Sequence, residues 1–177
     1  MTRLLAYTAV LFACATAAPL AVTHAQTAPA SSTTAQAAAK LPNLSGTWEL
    51  NVAASKFGPQ GSPTKGTLTL TQAGDKITAT QVLSTSTGDM TNTTHHTIGA
   101  TTADTIRAQG QEVARTSTAR WDGSTLVVDA KLMSQGMEIP VVARYTLSPD
   151  GKQLMVDQTL TSPMGELTTH LVFDKKS

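Results

Sequence analysis

The sequence predicts an all-β protein, an up-and-down antiparallel meander closed into a barrel of about eight to ten strands. Three observations carry that expectation. Past residue 41, apolar and polar residues alternate with a period of two, and helical periodicity is nearly absent. Short turn sequences such as Ala73-Gly74-Asp75-Lys76, Asp122-Gly123 and Ser148-Pro149-Asp150-Gly151 punctuate the alternation at regular intervals. Consecutive hairpins leave two open edges, and closure into a barrel removes them.

The elements follow in order after an N-terminal region set apart from them. Met1 to Ala25 has an early positive charge, Arg3, an apolar stretch from Leu4 to about Ala18, and Thr23-His24-Ala25 before Gln26. This is the layout of a signal peptide (1–25) cleaved after Ala25, which predicts a periplasmic or secreted protein. Thr8, Thr16 and Pro19 interrupt the apolar run, which falls short of the roughly 20 residues of a membrane span. Cys14 is the only cysteine, and Phe12 fits poorly where a lipoprotein box wants a small residue, so lipidation is disfavoured. Without residues 1–25 the chain has no cysteine, and disulfides and thiolate chemistry fall away. Residues 26–40 contain no Leu, Ile, Val or aromatic residue and are expected to form a disordered Ala/Thr/Ser linker. The barrel domain is assigned to 41–177.

Gly46 to Leu50 reads as the first strand and Thr67 to Thr71 as the second. Lys76–Ser84, Met90–Ile98, a weaker Thr105–Ala108 and Val113–Trp121 follow. Thr125–Met133, Met137–Leu147, Lys152–Thr161 and Glu166–Phe173 complete about ten strands. From Leu126 onward one face of each strand is apolar: Leu126, Val128 and Ala130, then Val141, Ala143 and Tyr145, then Leu154 and Val156. The matching face of the earlier strands carries Gln81, Asn92, Thr94, His96, Arg115 and Ser117. A barrel built this way has one apolar wall and one polar wall, which is stable if the polar side is hydrogen-bonded or wet. A one-residue slip exchanges the two faces, so the opposite assignment, with the polar residues in solvent, stays open at this point.

Leu44-Ser45-Gly46-Thr47-Trp48-Glu49-Leu50 opens the domain. The Gly-x-Trp start resembles the lipocalin and fatty-acid-binding (calycin) superfamily. With Asn51, Ser55-Lys56-Phe57-Gly58-Pro59 and the Ser162-Pro163-Met164-Gly165-Glu166 turn, the chain resembles a set of secreted bacterial lipocalin-like proteins. The resemblance implies a lipocalin-like barrel whose floor is formed by Gly46 and Trp48, with an Arg across the indole, for which Arg144 and Arg120 are candidates. Two departures stand out. Asn51 to Pro63 is too short and too rich in Gly and Pro for the helical lid of fatty-acid-binding proteins, and the last strand lacks their Arg-x-Tyr carboxylate clamp.

The chain offers little for catalysis. It has no Gly-x-Ser-x-Gly, no glycine-rich phosphate loop and no His-Glu-x-x-His. Most Asp residues, including Asp75, Asp89, Asp104, Asp122 and Asp150, are explained by turn chemistry. Adjacent His95 and His96 point to opposite faces of a strand, and pairing His96 with His170 must reach across several strands, so no metal and no cofactor is expected. With 13 Lys+Arg against 12 Asp+Glu and no basic run, nucleic acid is not an expected partner. The leading expectation is a non-enzymatic barrel that binds a small apolar or amphipathic molecule. Its site is Arg115, Tyr145, Gln81, Asn92, Thr94, Val141 and Ala143. The second is a protein-interaction or inhibitor barrel with a packed core, and the third is a cyclase- or isomerase-type enzyme on the same barrel.

Overall fold

A computed structural model describes residues 41–58, 61–86, 88–108, 110–163 and 165–176. The expected signal peptide and linker, with Cys14, lie outside the described residues. Ten antiparallel strands form one sheet: β1 (Gly46–Leu50), β2 (Lys65–Ala73), β3 (Lys76–Thr85), β4 (Gly88–Thr97), β5 (Thr101–Ala108), β6 (Gln111–Asp122), β7 (Thr125–Ser134), β8 (Met137–Leu147), β9 (Gln153–Ser162) and β10 (Gly165–Lys175). Their spatial order is β4-β3-β2-β1-β10-β9-β8-β7-β6-β5, a meander in which β1 pairs with β10. The barrel is nearly closed. β4 and β5, consecutive in the chain, are its two edges, and they face each other without a backbone ladder.

The turns are set by residues that tolerate a positive φ. At the β6–β7 hairpin Asp122 pairs with Thr125, so the loop is Gly123-Ser124 rather than Asp122-Gly123. Gly123 has φ 60° and Ser124 does not go positive, the pattern of a type II′ turn. At β7–β8 the loop is Gln135-Gly136 with φ 52° and 75°, a type I′ pattern that places a non-glycine residue in the left-handed region.

The core fills one end of the barrel. Leu44, Trp48, Leu70, Ile77, Leu126, Leu154 and Phe173 are fully or almost fully buried there. Trp48 donates its indole N–H to the Leu44 carbonyl at 3.1 Å, which satisfies the one polar atom of a fully buried ring. Lys175, its register partner on β10, stands over the ring at 5.5 Å. That position corrects the expectation for an arginine. Arg120 and Arg144 lie on the outer face, paired with Asp129 and Asp122 respectively. Gly46 is needed for its φ of 144° rather than for tight approach, since an added Cβ meets nothing nearer than 3.6 Å. The turn at Ile98 and Gly99 covers this same end, its N–H groups bonded to Asp75 and Ala119 carbonyls.

Val127 and Val172 are buried although they point outward. Val127 is fully buried and sits in register between Arg120 and Arg144, long side chains that can cover it with their alkyl stems. Val172 is covered by the Asn51–Ser55 turn, which Ser55 ties down by accepting the Val172 N–H at 2.9 Å. The described residues of the 51–64 connection form no helix, and Phe57, Gly58 and Pro63 border the other end of the barrel. The connection is anchored by the reciprocal backbone bonds of Lys56 and His170, and an added Cβ at Gly58 would fall 2.5 Å from Leu167.

Candidate functional site

Strand alternation decides which side chains enter the barrel. On β6, Val113, Arg115, Ser117 and Ala119 are buried while their neighbours are exposed. On β4, Met90, Asn92, Thr94 and His96 are the less exposed set. The polar face of the first half therefore points inward, and the slipped assignment is not adopted. The reason is energetic: the opposite residues on these strands are mostly Thr, Glu and Arg, which water solvates better than a barrel would.

Above the packed end lies a partly open space of about 170 Å³. Gln81, Asn92, Thr94 and Arg115 line one side, and Val141, Ala143 and Tyr145 line the other, so the structure brings all of the sequence-nominated residues to one cavity. Val128, Ala130, Val156 and Gln158 extend the wall. A second space of about 420 Å³ lies beneath the 51–64 connection, between Phe57, Pro63, Leu83, Met90 and Leu167. Gln81, Gln158 and Leu171 border both, so the two adjoin. Together they fall within the usual range for small-molecule sites, about 300–1,000 Å³.

The polar wall is organised around Arg115 and Asp104, register partners on β6 and β5. Nη1 of Arg115 donates to both Asp104 oxygens, at 3.0 and 3.2 Å, with both side chains only 9% exposed. Asp104 also accepts the His95 N–H at 2.9 Å and so ties β5 to β4. It is thus not a turn residue, as local sequence suggested, but half of a buried ion pair. Asn92 makes the second tie across the edges, binding both the N–H and the carbonyl of Arg107 at 2.7 and 3.0 Å. His96, missed as a site element by the sequence, is 3% exposed between Ser117 at 3.3 Å and Thr94 at 3.2 Å. Burial, reinforced by Arg115, lowers its pKa from 6.5 to about 4, so it is neutral at physiological pH. Burial also pushes the Tyr145 phenol above its ordinary value, partly opposed by Arg115. Only the alternation of His96 with Thr94 and Asn92 hinted at its place.

Other titratable groups stay apart. His170 faces outward against Asp157. Among the described residues no three His, Cys, Asp or Glu side chains group as metal ligands, and no helix is long and apolar enough to cross a membrane. β10 carries no Arg-x-Tyr pair, and its inward residues here are Leu167, Thr169, Leu171 and Phe173.

A ten-strand antiparallel meander, nearly closed around a side-chain-lined interior, is an up-and-down barrel with a lipocalin-like fold. Solved structures agree. The chain is similar to zebrafish ileal bile acid-binding protein complexed with cholic acid, with a TM-score of 0.51 and 16% identity, covering 75% of this chain and 98% of that one. It is also similar to secretory abundant heat soluble protein 4 from Ramazzottius varieornatus, with a TM-score of 0.50 and 18% identity, covering 75% and 94%. No family model and no curated protein matches the chain.

Proposed function

We propose that the protein is an exported, non-enzymatic barrel that binds a small amphipathic molecule. The observation that carries this reading is the two-sided cavity: an apolar wall at Val141, Ala143 and Val156 opposite a polar wall at Gln81, Thr94 and Arg115. An amphipathic ligand lays its apolar body on the first and its polar head on the second, with Arg115 and Tyr145 fixing its orientation. A bile acid-binding protein of similar fold supports the reading at the level of architecture. Export rests on the layout of residues 1–25.

Filling the space is the test. Ala143→Trp is expected to abolish uptake of a fluorescent lipid while the protein keeps its β-sheet circular dichroism. A folded Ala143→Trp protein that takes up the lipid as well as wild type overturns the reading. N-terminal sequencing of the processed protein is expected to begin at Gln26, and a start at Cys14 or an intact Met1 overturns the export part.

A further inference from the structure

We infer that the head group this cavity selects is uncharged, a hydroxyl or amide on an apolar body, and that anionic amphiphiles are disfavoured. The inference rests on the binding reading above and narrows it to a ligand class.

Arg115 is the one charged residue among those lining either space. A lone buried arginine attracts a carboxylate, but this one is not alone. Asp104 holds it with both oxygens, and the His95 N–H anchors the carboxylate from the far side, so the pair is neutral as a unit. An incoming carboxylate meets a guanidinium whose charge Asp104 already balances through Nη1, with that second anion directly behind it. Its own desolvation is then uncompensated. His96, the next titratable group on this wall, adds no positive charge at neutral pH.

The remaining polar groups point the same way. The Tyr145 hydroxyl and the side-chain amides of Gln81 and Gln158 line the cavity and form no side-chain hydrogen bond among the described residues. Two of these three are amides, which offer an acceptor as well as donors, and the phenol can do both. A carboxylate only accepts, so it leaves the glutamine carbonyls without a donor. A hydroxyl or a primary amide donates and accepts, and it matches the set.

Equilibrium dialysis of the protein at neutral pH against isotope-labelled decanamide and decanoate, which are nearly isosteric, tests this. Wild type is expected to bind decanamide at least about tenfold more tightly. Asp104→Asn unmasks Arg115 and is expected to shift the ratio toward decanoate. Decanoate bound as tightly as decanamide, or more tightly, by wild type overturns the head-group assignment while the cavity reading stands. An unchanged ratio in folded Asp104→Asn overturns the ion pair as its cause. If that variant does not fold, the wild-type ratio decides by itself. Failure of both compounds to bind, with Ala143→Trp indistinguishable from wild type in lipid uptake, overturns the cavity reading and this inference with it.

Discussion

The side-chain amide of Asn92 on β4 accepts the Arg107 N–H of β5 at 2.7 Å and donates to the Arg107 carbonyl at 3.0 Å. One side chain thereby supplies both hydrogen bonds that a neighbouring strand supplies elsewhere in the sheet. Asp104 does half as much one step along, accepting the His95 N–H. The two edges are held together by side chains in place of a ladder, which limits how far the barrel opens without leaving edge groups bare.

Asn92→Ala removes both bonds to Arg107. Because the contact is exposed, the expected loss is about 1–2 kcal/mol. The sharper readout is local: hydrogen exchange at the Arg107 amide accelerates more than exchange at amides of β8. Equal protection of Arg107 in wild type and variant shows that the amide bridge does not hold the edge.

Removing one member of the Arg115–Asp104 pair strands the other in a site where each side chain is 9% exposed. Asp104→Ala is expected to destabilise by about 3–5 kcal/mol. The double variant Asp104→Ala/Arg115→Met is expected to recover a large part of that loss, since no charge remains buried. Urea unfolding of the three proteins checks it, and a double variant no more stable than Asp104→Ala contradicts the pairing argument.

Trp48→Ala empties the packed end and is expected to cost about 3–5 kcal/mol. Trp121 is only partly buried against the same cluster, so Trp121→Ala is expected to cost less. Thermal melts that rank the two variants the other way overturn the placement of the core.

His96 gives a pH dependence with a definite sign. Its pKa in the folded protein, about 4, lies below the unfolded value of 6.5, so the unfolded chain binds the proton first. Its contribution is fully present above pH 6.5, falls as the pH drops through this window, and is lost once pH passes below about 4. The shift corresponds to a loss of up to about 3 kcal/mol. His96→Gln is expected to flatten the stability curve in that range. A variant curve parallel to wild type removes His96 as the source.

The strands were legible because β-branched alternation is local. Met137–Leu147 and Gly46–Leu50 come directly from it, and the polar wall follows from reading Asn92, Thr94 and His96 as one side of β4. What escaped reading is what depends on partners distant in sequence. Asp104 looks like a turn residue until β6 brings Arg115 beside it. Val127 reads as an outward residue until the register places it between Arg120 and Arg144, where it is fully buried. The cation over Trp48 is Lys175 because β10 pairs with β1, a contact between opposite ends of the domain that no periodicity encodes. The weak alternation near Thr105 shortened β5, which starts at Thr101, because its inner face is Thr102, Asp104, Ile106 and Ala108 rather than a row of large apolar residues.

The sheet order has a topological consequence. The break in the hydrogen-bond ladder lies in the middle of the chain, between β4 and β5, whereas the two ends of the domain are paired neighbours, with the Lys176 N–H bonded to the Thr47 carbonyl at 2.8 Å. A circular permutant that joins the region after Lys176 to the start of β1 and opens the chain at Gly99 has sequence order identical to spatial order across all ten strands. Every ladder in it links consecutive strands, and the one pairing of large sequence separation, β1 with β10, becomes a hairpin. In such a chain the β4–β5 ties made by Asn92 and Asp104, local in the natural connectivity, become the contacts of largest sequence separation, and the barrel's seam joins the two termini.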